Sequence, residues 1–310
     1  MQLHINTPLI HSRSLGQITG RNVWLKMDAL QPSGSFKIRG VGLACQKYYK
    51  NGARSFISSS GGNAGLAVAY AGRMLNIPVR VVVPETTSKR AIELLRLEQA
   101  DVVVHGSSWQ EANQLASTMV GETDAFIHPF DDPLLWKGHA TMIDEVVACG
   151  LLPDAVVLSV GGGGLMCGVL EGLERNGLAD VPVIAVETEG AASFHAAATA
   201  GRPVEIDAIS TVATSLGAKR VCDKAAEYSR TRPVISALVT DISAVSACLN
   251  FADDHRVLTE PACGAALASV YEKNAALDSF SNILVIVCGG ATTTLEQLVQ
   301  MSARLNIKGS

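Results

Sequence analysis

Short runs rich in Val and Ile alternate with helix-length amphipathic stretches along most of this 310-residue chain, and that alternation restricts the fold more than any other feature. The runs at 55–58, 79–83, 101–104, 125–128, 155–160, 182–186 and 282–287 predict strands, and 23–27 reads the same way. They lack a clean polar–apolar alternation, as strands of a parallel sheet do when both faces are covered. Helices are predicted between them at 64–75, 89–98, 109–120, 139–147, 165–175 and 294–305. Strands and helices at this spacing form βαβ units, so the expected class is α/β, with open, twisted, parallel-type sheets flanked by helices. Pro and Gly punctuate the chain at 31–34 and again at 128–133, bracketing about four strand–helix units. The bracket predicts a small domain, 33–133, inserted into a larger one made of 1–32 and 134–310, with a ligand site in the crevice between them.

Three segments inside this frame carry chemistry. The first is Gln31-Pro32-Ser33-Gly34-Ser35-Phe36-Lys37-Ile38-Arg39-Gly40. Pro and Gly end the preceding strand, and Ser33 or Ser35 is placed to cap a helix starting near Phe36. Lys37 then lies in the first helical turn, where the positive end of the dipole disfavours a cation. Apolar Phe36 and Ile38 add desolvation, which also favours the neutral amine. A neutral lysine is the form that makes Schiff bases with carbonyls and with pyridoxal phosphate. On these ten residues alone, a lysine that lays its stem on apolar surface and keeps its charge in water is the plainer reading.

The second segment is Ser58-Ser59-Ser60-Gly61-Gly62-Asn63-Ala64-Gly65, between a strand and a helix. Consecutive small residues let backbone N–H groups converge at a helix N-terminus, a natural anion site, and Asn63 adds an uncharged donor. The third is the run Gly161, Gly162, Gly163, Gly164 ahead of the helix at Leu165. Four glycines cost backbone entropy, so something must approach the main chain closely, and phosphate is the leading candidate. No Gly-Lys-Ser/Thr follows, so this is not a Walker loop. Leu165 and Met166 spoil a G-x-G-x-x-G fingerprint, although Glu187, about twenty residues on, keeps a dinucleotide-binding oxidoreductase open. Cys288 falls at the carboxyl end of a strand, where open sheets bind ligands; a buried inert thiol is the plainer reading for it and for Cys263.

The remaining features exclude more than they propose. The net charge of −4 argues against a nucleic-acid or membrane-surface partner. Neither a signal peptide nor a bilayer-length apolar stretch is read at 48% apolar residues. The seven cysteines (45, 149, 167, 222, 248, 263, 288) have no CxxC spacing, which predicts reduced thiols in a cytosol rather than disulfides or a zinc site. The histidines share no metal spacing and read as structural or surface residues, His139 and His195 included.

Taken in order, these segments resemble the serine/threonine dehydratases among the fold-type II pyridoxal-phosphate enzymes, whose fold is tryptophan synthase β-like. The likeness runs from Thr7-Pro8-Leu9 through the Lys37 and Asn63 segments, Pro129-Phe130-Asp131-Asp132-Pro133, the glycine run, Glu260-Pro261-Ala262-Cys263-Gly264 and Cys288-Gly289-Gly290. The Ser-x-Lys and tetraglycine pair points to the fold type. The Pro-Phe-Asp-Asp-Pro and Glu-Pro-Ala-Cys-Gly segments narrow it to the serine dehydratase branch.

The resemblance implies the following roles. Lys37 holds pyridoxal 5'-phosphate and, once freed, takes the α-proton. Gly161, Gly162, Gly163 and Gly164 bind its phosphate, Asn63 contacts its ring hydroxyl, and Phe36 packs on one ring face with Ser215 near the other. Cys288 faces the pyridine nitrogen. Ser60, a second residue assigned to catalysis, holds the substrate carboxylate with Gly61, Gly62, Asn63 and Ala64. A monovalent cation, usually potassium, is implied at the carboxylate of Glu187, the hydroxyl of Ser193 and main-chain oxygens of Gly161, Ala191, Leu216 and Ala218.

The implied reaction is α,β-elimination, L-serine giving pyruvate and ammonia, and L-threonine giving 2-oxobutyrate and ammonia. A thiol at the ring nitrogen is a weak donor, which favours loss of the β-hydroxyl over transamination. The β-hydroxyl needs an acid, a role the family assigns to the cofactor's own phosphate. Some members carry Ala at the position of Gly61, so Gly61→Ala is expected to change turnover more than cofactor binding. A homodimer in the cytoplasm, acting on a small amino acid without a regulatory domain, completes the implied picture. The rivals are serine racemization, β-replacement and a catalytically silent pyridoxal-phosphate binder.

Overall fold

The computed structural model describes residues 2–307. Residues 1 and 308–310, which the predicted larger domain includes, lie outside the described residues. The strands are β1 (Leu9–His11), β2 (Asn22–Lys26), β3 (Ser55–Ser58), β4 (Val79–Val83), β5 (Asp101–Val104), β6 (Asp124–Phe126), β7 (Ala155–Ser159), β8 (Val183–Thr188), β9 (Val234–Val239) and β10 (Asn282–Ile286). They form a six-stranded sheet in the order β1-β2-β10-β7-β8-β9 and a four-stranded sheet in the order β5-β4-β3-β6. Every neighbouring pair is parallel except β1 with β2. The α/β class and the parallel sheets predicted from the strand–helix alternation are thus present. Strands β7 and β8 are buried at every residue, which is why their sequences show no alternation.

The helices are α1 (Arg13–Thr19), α2 (Lys37–Lys50), α3 (Asn63–Leu75), α4 (Lys89–Leu97), α5 (Trp109–Thr118), α6 (Pro133–His139), α7 (Thr141–Ala148), α8 (Gly164–Arg175), α9 (Ser193–Ala200), α10 (Asp223–Thr231), α11 (Asp241–His255), α12 (Pro261–Tyr271) and α13 (Leu295–Arg304). The helix expected at 139–147 is α7, and a further helix, α6, precedes it and meets it at Ala140. The start of α6 has a local cause: the Asp132 side chain accepts the Leu134 N–H at 2.7 Å, and Pro133 takes the first helical position. The strand expected at 125–128 ends at Phe126, and β1 and β9 were not expected at all.

Helix α2 lies close against α6. A Cβ on Gly40 would fall 2.5 Å from the Leu135 oxygen, and one on Gly138 would fall 2.4 Å from the Arg39 oxygen. Only glycine at both positions lets the two backbones approach this closely. The packing fixes the helix that starts at Lys37 against the segment that follows Pro129.

Candidate active site

The turn that delivers Lys37 is pinned by backbone bonds. The N–H of Phe36 donates to the Cys288 oxygen at 2.9 Å, the N–H of Gly290 donates to the Gly34 oxygen at 3.0 Å, and Ser35 bridges Gly289. Phe36 is the N-cap of α2, and no side chain caps it. The expected cap from Ser33 or Ser35 is therefore corrected: both hydroxyls are buried without a hydrogen-bond partner. The end of β10 does the work that a cap would do elsewhere.

Lys37 is the first residue of α2, and its Nζ donates to the Pro129 oxygen at 2.5 Å. The amine lies 5.2 Å from the centroid of the Phe36 ring. Burial lowers its pKa to about 8, opposed by the charge of the nearby Glu260 carboxylate. The sequence argument for a lysine pushed toward neutrality thus meets a matching environment. Phe36 itself packs edge-on against His139, with ring centroids 4.8 Å apart. His139 is fully buried with neither ring nitrogen partnered, and burial holds it well below the ordinary histidine range. It is a neutral packing residue, as the sequence reading had it.

The two glycine loops offer free donors. Among the described residues, none of the N–H groups of Gly161, Gly162, Gly163 and Gly164 is paired with a protein acceptor, and α8 begins at the last of them. The same holds for Asn63, Ala64 and Gly65 at the start of α3. Buried or half-buried backbone donors rarely go unmatched, so each arc is shaped for an anion. The glycine run also solves a packing problem. A Cβ on Gly162 would fall 2.3 Å from the Phe130 ring, and one on Gly164 would fall 2.6 Å from the Phe130 oxygen. Phe130 is next to Pro129, so the loop at 161–164 and the partner of Lys37 are held by one short segment. The residues present fit a phosphorylated aldehyde: an amine of lowered pKa, with an anion cradle at a helix N-terminus nearby.

Asn63 donates through Nδ2 to Oε1 of Glu260 at 2.7 Å, and its Oδ1 accepts the N–H of Ala291 at 3.3 Å. Ser60 Oγ accepts the N–H of Gly62 at 3.3 Å. At Gly61 a Cβ would fall 2.8 Å from Cγ2 of Thr87. Ser215 is exposed and hydrogen-bonds Glu260. Cys288 is buried; a hydrogen bond with Cys263 and burial hold its thiol well above the ordinary range, so it stays protonated. The cysteines, scattered in sequence, are free but not scattered in space: Cys167 and Cys222 approach to 3.8 Å between sulfurs.

Glu187, on β8, is fully buried and accepts the N–H groups of Phe194 and His195, each at 2.8 Å. Burial pushes its carboxyl up to about 7 against those bonds. The neighbouring Ser193 hydroxyl is buried and unpartnered. Gly161 lies close to the 215–216 backbone, where a Cβ would fall 3.1 Å from the Ser215 oxygen and 3.2 Å from the Leu216 Cα. Among the described residues no group of three or more His, Cys, Asp and Glu side chains could hold a metal ion, so a cation here would depend on main-chain oxygens.

The site residue that sequence reasoning missed is Glu260. Neither the residues around it nor the family resemblance assigns it a role. An acidic residue directly before a Pro that opens a helix was the available signal, since it sits at the N-cap of α12.

Lysine, anion cradle and parallel sheets together define a class. Residues 1–289 match the family described as pyridoxal-phosphate dependent enzyme, and the chain belongs to that family. Within it, the chain is 48% identical to an L-serine dehydratase of Dictyostelium discoideum, over 96% of this chain and 91% of that protein. It is 45% identical to an L-serine dehydratase/L-threonine deaminase of Homo sapiens, over 98% of this chain and 96% of that protein. A solved fungal L-serine ammonia-lyase from Rhizomucor miehei superposes with a TM-score of 0.94 at 36% identity, covering 98% of this chain and 99% of that one.

Proposed function

We infer that this chain is a pyridoxal-phosphate-dependent ammonia-lyase, converting L-serine to pyruvate and ammonia and L-threonine to 2-oxobutyrate and ammonia. The observation that carries the reading is Lys37, with its amine lowered to about 8 and aimed at Pro129 beside the Phe130-packed glycine loop. The near-full-length likeness to serine dehydratases supports the choice of substrate.

Bound pyridoxal phosphate supplies an electron sink for charge developing at the substrate α-carbon. The chain's own residues do the rest. Gly161, Gly162, Gly163 and Gly164 hold the phosphate with free N–H groups and the positive end of α8. Ser60 and the loop through Ala64 hold the substrate carboxylate at the start of α3. Lys37 Nζ, largely neutral above about pH 8, accepts the α-proton. Cys288, assigned to the ring nitrogen, stays an uncharged thiol and withholds a strong proton donor from that side. Phe36 would support one ring face, and Ser215 would lie toward the other.

Residues 33–133 form the small domain in this reading, since β3 to β6 all fall within 55–126 while both flanks supply the six-stranded sheet. A potassium ion would be held by Glu187, the Ser193 hydroxyl and the main-chain oxygens of Gly161, Ala191, Leu216 and Ala218; the reading is supported by the unpartnered Ser193 hydroxyl and by a buried Glu187 carboxyl that burial pushes up and a cation would relieve. Among the described residues no helix is long and apolar enough to cross a membrane; a homodimer in the cytoplasm is part of the same reading, resting on the family likeness and on seven cysteines without CxxC spacing.

The test is 2-oxo acid release from each amino acid, with potassium and pyridoxal phosphate, against Lys37→Ala. We expect release by the native protein and a loss of about 10²–10⁴-fold or more in the variant. A yellow protein that releases nothing would move the assignment to racemization, β-replacement or a silent binder.

A further inference from the structure

The roles given above to Lys37 and Asn63, on which this inference rests, leave one buried carboxylate of the site without a task. Glu260 is 5% exposed at the N-cap of α12, a helix buried from Pro261 through Val270. Its Oε1 accepts from Asn63 Nδ2 at 2.7 Å, and Ser215 hydrogen-bonds the same carboxylate. The segment 288–290 runs between Glu260 and the Lys37 turn. The Glu260 N–H donates to the Gly289 oxygen at 3.4 Å, while Gly290 donates to the Gly34 oxygen on the other side at 3.0 Å. A Cβ on Gly290 would fall 2.4 Å from the Glu260 Cβ. Asn63 opens the helix that follows β3, whereas Glu260 precedes α12 and Ser215 lies between β8 and β9. The carboxylate is therefore a tie between the two halves of the molecule.

The tie has a chemical consequence for Asn63. A lone amide can flip and exchange its oxygen for its nitrogen. Here a carboxylate that only accepts faces Nδ2, and a backbone donor, Ala291 N–H, faces Oδ1. One orientation satisfies both, leaving a single Nδ2 hydrogen for a ligand. We propose that Glu260 is a positioning residue: it locks the Asn63 amide for the cofactor's ring hydroxyl and sets the charge that Lys37 faces. The ionisable groups around it are Lys37 from α2, Cys288 beyond β10 and Cys248 from α11, with Asn63 and Ser215 as neutral partners. Burial pushes its own carboxyl up to about 7, against those hydrogen bonds and the Lys37 charge.

Two variants separate the hydrogen bond from the charge. Glu260→Gln keeps an acceptor toward Asn63 and removes the charge; Glu260→Ala removes both. The first readout is visible circular dichroism of bound pyridoxal phosphate, which reports ring orientation, together with cofactor affinity. The second is the pH midpoint for acylation of Lys37, read by peptide mass on the full chain freed of cofactor. Glu260→Gln is expected to keep the dichroism, and Glu260→Ala to lose most of it with affinity about ten- to hundredfold weaker. Both should lower the Lys37 midpoint, because the Glu260 charge holds it up. Unchanged dichroism in a folded Glu260→Ala protein, or an unchanged midpoint in Glu260→Gln, overturns the proposal. Should Glu260→Ala not fold, Glu260→Asp replaces it: the shorter acid should keep the midpoint and lose the dichroism, and intact dichroism overturns the proposal. If the native protein gains no colour with pyridoxal phosphate, the cofactor reading fails, and the Lys37 midpoint still decides the charge half.

Discussion

Two sets of buried charges flank the first turn of α2, and they are built on opposite terms. Behind the turn, Arg39 donates from Nε to Asp28 at 2.6 Å and from its two terminal nitrogens to Glu145 at 2.7 and 2.8 Å. Lys26 meets the same Glu145 at 2.5 Å and the Thr7 oxygen at 2.7 Å, and Thr7 donates to Asp28 at 2.7 Å. Two cations answer two carboxylates. Burial works against both Arg39 and Glu145, yet their mutual hydrogen bonds hold the first above and the second below the ordinary range. In front of the turn the balance is reversed. Lys37 is lowered to about 8 and Glu260 raised to about 7, because burial outweighs the partners that each is given. Lys37 and Arg39 are two residues apart on one helix, so desolvation alone does not make a lysine reactive. A full set of ionic partners makes a buried charge permanent; a short set leaves it ready to exchange a proton.

The contrast breaks most visibly at Arg39. Arg39→Met strands Asp28 as a buried carboxylate, leaves Glu145 with Lys26 alone, and should cost about 3–5 kcal/mol in urea unfolding. Glu260→Gln, on the other side, should cost about 1 kcal/mol at about pH 5, where the native carboxyl is protonated, one modest hydrogen-bond adjustment. Equal losses would erase the distinction between the two sides.

A finer comparison comes from pH. Glu260 has a folded pKa raised above its ordinary value near 4.5, so its stabilisation is full below about 4.5 and is lost as pH rises through about 7. Lys37 is a base with a folded pKa lowered from 10.5, so its penalty is full below about 8 and is relieved as pH rises toward 10.5. Together these two groups predict a shallow minimum in melting temperature between about pH 7 and 8 for the cofactor-free protein. Glu260→Gln should flatten the acid limb and Lys37→Met the basic limb; a native profile without a minimum, or limbs that survive both changes, would contradict the assignment.

The smallest expected effect is at Gly61. A methyl there would meet Thr87 Cγ2 at 2.8 Å, so Gly61→Ala moves the wall of the carboxylate loop and not the cofactor cradle. We expect kcat/KM for serine to change by about tenfold or less, with cofactor affinity unchanged. Identical kinetics and substrate range in both proteins would remove Gly61 from the site's shape.

Much of this was readable from residue order, and the reasons for the gaps are physical. Strands β3, β4 and β5 lie where their Val- and Ile-rich runs were expected, because turn residues bound them on both sides. Helix α12 was not read, since residues 261–270 are buried on every side and therefore carry no amphipathic period. The Lys37, Asn63 and glycine-run segments stood out because chemistry was concentrated in contiguous residues. Glu260 did not, since its meaning depends on Asn63, almost two hundred residues earlier and adjacent only after folding. The Ser33 and Ser35 caps were misjudged for a related reason: a distant strand end, 288–290, replaces a local side chain.

The close approach of Pro129 to Lys37 has one more consequence, best put in terms of inheritance. The stretch from 33 to 133 carries the amine, its carbonyl partner and the serine–glycine–asparagine loop, whereas the glycine run, Glu260 and Cys288 all lie beyond it. A recombination event that exchanged this stretch between relatives would move the amine and the proposed substrate-carboxylate loop as one cassette, leaving the phosphate cradle in place. The exchanged cassette would still have to fit the inherited contacts at its seam, among them Phe130 on Gly162, Asn63 on Glu260, Phe36 on Cys288, and Arg39 on Asp28 and Glu145.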